Sequence, residues 1–346
     1  MARVFVTGAT GFVGSHTVAA VLRAGHHVRA LVRDPSRLRS SLAPHGVAEH
    51  PALEAVTGDV TDRDSVVRGL TGCDAVVHAA GVFTFDPRGW ARMESVNVEG
   101  GRTVLRAAVD AGVDPVVHVS TLMAILPDRP GDPVTADSPP TSPGSPGHYT
   151  RTKTEAERVA RGLQEGGAPV TITYPGGVHG PHDPYMGENA HRTAILLRGG
   201  LPVVVRGAYH ATDVRDLAAL HVSLIEAGRG PRRYVAPGHH TELVEHVREV
   251  ARLTGRRLPV VAVPAAPLLG PLRLLQIAQT RLPKHYPGDP EAAWFAAKRA
   301  VADCGPAERD LGITPRPRDE TFADEVRWLA DAGHVSRRLI GRLGAR

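Results

Sequence analysis

Cysteine, lysine and aromatic residues are all scarce in this sequence, and each scarcity narrows what the chain can be. The two cysteines, Cys73 and Cys304, lie far apart and outside any metal-spaced cluster. That argues against a disulfide framework and a thiolate-bound zinc, and it makes a reducing, cytoplasmic setting the expectation. Aromatic residues make up only 4% of the chain, and the arginines behind its net charge of +5 are scattered. Without a basic strip interleaved with stacking rings, no nucleic-acid partner is expected, and an acidic ligand such as a dinucleotide is partner enough for the charge. Long unbroken apolar runs are missing as well. The most apolar stretch, Leu258 to Ala278, is interrupted by Pro259, Pro264, Pro267, Pro271 and Arg273, whereas a membrane-spanning helix needs about 20 mostly apolar residues in a row. A spanning segment is not expected, and this stretch reads as the wall or lid of an apolar pocket. Met1 leads directly into the apolar Val4 and Val6, which leaves no room for an export signal. Lys153, Lys284 and Lys298 are the only lysines, so wherever lysine replaces the usual arginine a specific reason is expected.

What is present is rhythm. Short apolar runs at Val4–Thr7, Val28–Val32, Glu54–Thr57, Ala75–Ala79, Val116–Ser120 and Val170–Tyr174 alternate with helical patterns such as 14–24 and 96–110. Such alternation predicts a doubly wound parallel sheet covered by helices on both faces. After Tyr174 the rhythm loosens. Helices are expected near 189–198, 213–226, 241–254 and 290–303, with a last one from about Asp319, and a short strand at Val203–Val205. The fold class is therefore α/β, with a Rossmann-type domain over 1–177 to which helix 213–226 returns. A smaller mixed substrate-binding region would cover 178–212 and 227–318, followed by a C-terminal helix and basic tail over 319–346. The Pro-, Gly- and Ser-rich stretch from Pro127 to Gly147 reads as a surface loop.

The opening Gly8-Ala9-Thr10-Gly11-Phe12-Val13-Gly14 follows a strand and enters a helix. A dinucleotide site needs a tight turn at the first glycine, close approach to the pyrophosphate at the second and close helix packing at the third, with the phosphates over the helix N-terminus. At the end of the second strand stand Arg33, Asp34 and Arg37. Arg33 and Arg37 could clamp a 2′-phosphate, which favours NADP(H); Asp34 on a ribose hydroxyl would instead mean NAD(H). Asp59, in Gly58-Asp59-Val60, is placed to meet an adenine, or else caps a turn. Ala79, Ala80 and Gly81, at the carboxyl end of the fourth strand, leave space for the nicotinamide ribose. His78 reads as a core histidine.

Tyr149 and Lys153 stand four apart at the start of a helix and so share a face. A phenol with a pKa near 10 is a poor acid–base group at neutral pH, but a neighbouring ammonium together with an oxidised nicotinamide brings it toward the working range. Ser120 and Thr121, at the mouth of the fifth strand, offer the hydroxyl that would fix a substrate oxygen.

With these residues in hand, the chain resembles the extended short-chain dehydrogenase/reductase family, also called the NAD-dependent epimerase/dehydratase family. Within it, the sequence is similar to the dihydroflavonol 4-reductase-like and 3β-hydroxysteroid dehydrogenase-like branch. The resemblance rests on Gly8 to Gly14, Gly58-Asp59-Val60, His78-Ala79-Ala80, Asn97, Tyr149 to Lys153, Pro175 with Val178-His179-Gly180-Pro181, and Asp213 to Ala218. It implies that Tyr149 and Lys153 are the catalytic pair, that Asn97 positions their helix, and that Pro175, Gly177 and Val178 touch nicotinamide and substrate. Two positions depart from the family pattern: Leu122 stands where a third small hydroxyl is usual, and Tyr174 where arginine is common. The leucines from Leu268 to Leu275, with Ile277, point to an apolar small-molecule substrate and an NAD(P)-dependent reductase or dehydrogenase. The alternatives are a sugar-nucleotide epimerase or dehydratase and a cofactor-binding redox sensor. A homodimer is compatible with the sequence, but no residue specifies one.

Overall fold

In the computed structural model of the chain, residues 1–143, 147–199, 203–279 and 289–344 are described. Lys284 and part of the loop ahead of Tyr149 lie outside them. In chain order the first half comprises β1 (Arg3–Thr7), α1 (Phe12–Arg23), β2 (His27–Val32), α2 (Pro35–Leu42), β3 (Leu53–Thr57), α3 (Arg63–Leu70), β4 (Ala75–His78), α4 (Trp90–Glu94), a π-helical turn (Ser95–Gly100), α5 (Gly101–Asp110), β5 (Val116–Val119), β6 (Pro133–Val134), α6 (His148–Glu165) and β7 (Val170–Tyr174). The second half adds β8 (Gly177–His179), α7 (Glu188–Leu197), β9 (Val203–Val205), β10 (Ala208–Asp213), α8 (Val214–Ser223), β11 (Arg232–Val235), β12 (His239–Glu242), α9 (Leu243–Thr254), β13 (Val261–Val263), α10 (Ala266–Gln279), α11 (Pro290–Ala297), β14 (Val301–Ala302), α12 (Gly305–Leu311) and α13 (Arg318–Asp331).

Seven strands form one parallel sheet in the order β11-β7-β5-β4-β1-β2-β3. This is the Rossmann-type arrangement expected from the alternation, and beside it stand a mixed sheet β12-β10-β8 and two parallel strand pairs, β13-β9 and β14-β6. Side chains alternate across it. Val4 and Val6 pack into the core shared with α1 and α8, while Phe5 packs into the core shared with α3, α5 and α6. Burial on both faces is why the strands read as near-continuous apolar runs. Chain order reverses between β1 and β4, and ligands of open α/β sheets sit at the carboxyl ends of such a pair.

Two readings of the sequence change. Residues 232–235 sit on the large sheet beside β7 rather than with the 227–318 segment; a four-residue edge strand gives little periodic signal. The Pro-broken apolar stretch folds into β13 and α10, and Leu274 and Ile277 on α10 are 71% and 68% exposed. These two side chains face outward and do not line a pocket. Among the described residues, no helix is long and apolar enough to cross a membrane.

Candidate active site

The glycine turn is shaped by close approach. Gly8 adopts φ +77°, and a Cβ there would lie 2.5 Å from the Ala80 nitrogen. A Cβ on Gly14 would overlap the Gly8 carbonyl oxygen, so α1 enters the turn only because position 14 lacks a side chain. Gly11 caps α1 without a side-chain acceptor, leaving the first-turn amides near Phe12 and Val13 for an anionic ligand. A bare helix start behind a turn that admits no side chain fits a dinucleotide pyrophosphate. Thr10 stays close by through its carbonyl, which accepts from Ser41 Oγ at 3.0 Å.

At the end of β2, Asp34 caps α2, accepting from the Ser36 amide at 2.9 Å and the Ser36 hydroxyl at 2.7 Å. Arg37 turns toward that carboxylate at 3.7 Å, and Arg33 is exposed. Asp59 Oδ1 accepts from the Thr61 amide at 3.0 Å and its hydroxyl at 2.8 Å, which is turn capping; Val60 beside it is buried. Ala79 and Ala80 hang from Thr7, through its carbonyl at 3.2 Å and its hydroxyl at 3.4 Å. Val82, next after Gly81, is held by Asn97.

The reaction centre gathers where β5 and α6 meet. Tyr149 is half-buried in the first turn of α6, its ring 4.7 Å from that of Phe83. Burial pushes the phenol well above its ordinary range, a hydrogen bond with the Thr121 side chain pulls it down, and the Glu291 carboxylate pushes it up again. Thr121 also caps the short turn after β5, its Oγ1 accepting from the Met123 amide at 3.3 Å. Ser120 is committed elsewhere: its hydroxyl donates to Glu157 at 2.8 Å, in a buried network where Arg161 and Tyr174 also bond Glu157 at 2.7 and 2.6 Å. Tyr174, in place of the family's arginine, is thus a structural partner of α6. Leu122 is buried in the core.

Lys153, one turn beyond Tyr149, is 7% exposed and donates to the Val119 carbonyl at 2.8 Å. Burial lowers its pKa to about 8, and Glu157 works against that shift. The ammonium therefore points at the end of β5, and in the protein alone the phenol is shifted away from neutrality, not toward it. His78 is a core histidine, bonded to the Thr7 hydroxyl at 2.7 Å and stacked on His118. Asn97, in the π-helical turn, accepts from the Val82 amide at 2.7 Å and donates to the Val82 carbonyl at 3.0 Å and the Thr152 hydroxyl at 3.2 Å. It ties the loop after β4 to α6. Pro175 reaches the centre through its carbonyl, which accepts from the Leu122 amide at 3.0 Å. Gly177 is required by the Tyr209 ring, 2.8 Å from where its Cβ would be, and Val178 follows it on β8.

Reading the sequence misses Phe83 and Glu291. An Asp-Pro-Glu start signals only its own helix, and nothing in it says that Glu291 reaches a second one.

Comparison with known proteins fixes the class. The chain is 29% identical over 339 residues to sterol demethylase protein B of Methylococcus capsulatus, covering 95% of this chain and 99% of that one. Among solved structures it matches gox2253 at 26% identity with a TM-score of 0.80, covering 97% and 100%. It matches DesIV, the dTDP-glucose 4,6-dehydratase of Streptomyces venezuelae, at 26% identity with a TM-score of 0.74, covering 95% and 97%. DesIV holds NAD, as do six further solved structures sharing this fold. The NADP(H) expectation is thereby corrected, since these solved neighbours hold NAD; in the protein alone, Arg37 lies 3.7 Å from Asp34 at the surface. The expectation of an apolar small-molecule partner is corrected as well: several of the solved neighbours, DesIV among them, are bound to or named for sugar nucleotides, and Leu274 and Ile277 of α10 are exposed. Residues 4–236 match the NAD dependent epimerase/dehydratase family; the chain belongs to that family and is an NAD-dependent enzyme of oxidoreductase or epimerase–dehydratase type.

Proposed function

We propose that this enzyme acts on a sugar nucleotide, transiently oxidising an alcohol carbon of the hexose, and that Tyr149 is its general acid and base. The observation that carries the reading is the placement of Tyr149 and the buried Lys153 one turn apart on α6, with the Lys153 ammonium donating to the Val119 carbonyl at 2.8 Å at the carboxyl end of β5, two residues before Thr121. The residues fitted to hold NAD are Gly8, Thr10 to Gly14, Asp34, Asp59, Val60, Ala79 to Gly81, Lys153, Pro175, Gly177 and Val178. When bound, NAD supplies the two-electron acceptor and donor. Tyr149 takes the proton of the sugar hydroxyl during oxidation and returns it on reduction, Thr121 holds the same oxygen, and the Lys153 charge favours the phenolate.

Epimerisation suits the site better than loss of water. Elimination asks for a further acid beside the reacting carbon, and after Thr121 the chain turns the apolar Leu122 and Met123 into the core. Residues 1–177 with α8 and β11 would form the cofactor half, and 178–212 with most of 236–318 the substrate half, where Arg192 lies over Phe85 at 5.4 Å as a cation for a diphosphate. Kinship with the dihydroflavonol 4-reductase-like branch, and a cytoplasmic setting for the two free cysteines, complete the proposal.

The test is incubation of the protein with catalytic NAD and a panel of UDP- and dTDP-hexoses, followed by NMR of the sugar. A new epimer without accumulation of reduced nicotinamide is expected, and none with Tyr149→Phe. If no hexose nucleotide in the panel changes while NAD is shown to bind, the reading is wrong.

A further inference from the structure

The catalytic helix begins without a cap of its own. Gly147 stands at the N-cap of α6 and provides no side chain, so the first-turn amides lack a local acceptor. Glu291 supplies one from elsewhere in the chain. Its carboxylate accepts from the Thr150 amide and the Thr150 hydroxyl, both at 2.6 Å, and from the Tyr149 amide at 3.3 Å. Position 147 must be glycine for this contact, since a Cβ there would overlap the Glu291 carboxyl. Glu291 is 3% exposed and is itself held in place. Asp289 caps α11, accepting from the Glu291 amide at 2.7 Å, and Gln276 of α10 donates to Asp289 at 2.9 Å. A continuous line of contacts thus runs from α10 through the start of α11 to the residue that does the proton transfer.

We propose that Glu291 is a positioning residue for Tyr149, through which the C-terminal segment both fixes the first turn of the catalytic helix and opposes ionisation of the phenol. The inference rests on Tyr149 being the acid–base group but not on the identity of the substrate. A helix N-terminus favours a nearby anion, and an uncapped start to α6 would help the phenolate form. A carboxylate placed there cancels that help. The groups facing the pair are Thr121 from the turn after β5, Lys153 further along α6, Thr150 beside it, and Asp289 on α11 with Arg192 of α7 acting on it. Of these, Glu291 and Asp289 carry negative charge, and only Glu291 touches the Tyr149 backbone. The consequence is an acid–base group whose strength depends on how α11 is seated: displacing α11 would release the phenol.

The experiment is a phenolate absorbance titration of the full-length protein, with and without NAD, with Tyr149→Phe as the blank. Glu291→Gln keeps the shape and one acceptor oxygen while removing the charge. Its Tyr149 midpoint is expected to fall by about half a pH unit to one unit, a three- to tenfold stronger acid, with Tm held within a few degrees. A midpoint unchanged in folded Glu291→Gln overturns the proposal. If that variant does not fold, amide exchange of wild-type protein decides. Tyr149 and Thr150 have no intrahelical acceptor, so their amides are protected only if the carboxylate holds them, and exchange at the rate of an open loop overturns the proposal. Loss of NAD binding would count against the functional reading above, whereas the NAD-free titration tests Glu291 separately.

Discussion

A phenol is a weak base at neutral pH, and in this chain burial weakens it further. What brings it into use must come from its neighbours. Thr121 favours the phenolate through its hydrogen bond, so Thr121→Val should raise the Tyr149 midpoint and move the basic arm of the pH–rate profile upward, with turnover falling about tenfold to a hundredfold. Thr121→Ser should restore both, and parallel titration and rate profiles check it. Lys153 is a buried ammonium with a pKa of about 8, and such a charge is retained at a cost to folding. Lys153→Met is expected to weaken NAD about tenfold by calorimetry while leaving Tm unchanged or higher. Their four-residue spacing in a lysine-poor chain singled out Tyr149 and Lys153, and both lie in the first turns of α6. The sequence left Ser120 and Thr121 unresolved, because choosing between them depends on Glu157, which claims Ser120 from another element.

At the scale of elements, the site is a convergence of ends: the turn from β1 to α1, the mouths of β4 and β5, and the first turn of α6. Asn97 binds two of these together. Asn97→Ala would strand the Val82 amide and carbonyl, while the Thr152 hydroxyl keeps its bond to the Tyr149 carbonyl, at a cost of about 2–4 kcal/mol, read as a lower denaturant midpoint and a weaker apparent affinity for NAD. The strands and most helices were legible because both faces of the sheet are buried and the amphipathic periods are strong. The ends were not: the helix expected over 290–303 stops at Ala297, with Arg299 just beyond at φ +48°. Nor was the π-helical turn that aims Asn97, since one extra residue per turn leaves no compositional mark.

Across the whole molecule, histidine governs the response to acid. Burial lowers His16, His78, His221 and His246 from 6.5 to about 3, and His45 and His210 to about 4. Neutral in the folded state and protonated when unfolded, these groups leave stability intact above about pH 6.5 and drain it as pH falls toward 3–4. The raised carboxyls Asp183, Asp216, Asp289 and Glu291 act in the opposite sense but only nearer their own range. Urea denaturation is therefore expected to show a plateau above neutrality and a steep loss of stability between pH 6 and 5. A flat profile there would mean that the histidines are solvated. The substrate side was the least legible part of the sequence, because apolar residues on α10 look alike whether they line a cavity or face water.

The most direct measurement is a crystal structure of the protein with NAD. In it the Tyr149 hydroxyl and Thr121 Oγ1 are expected to converge on one oxygen site over C4 of the nicotinamide ring, with the Lys153 ammonium at the nicotinamide ribose. A phenol turned away from that ring, or a dinucleotide bound elsewhere than at the Gly8–Gly14 turn, would contradict this expectation.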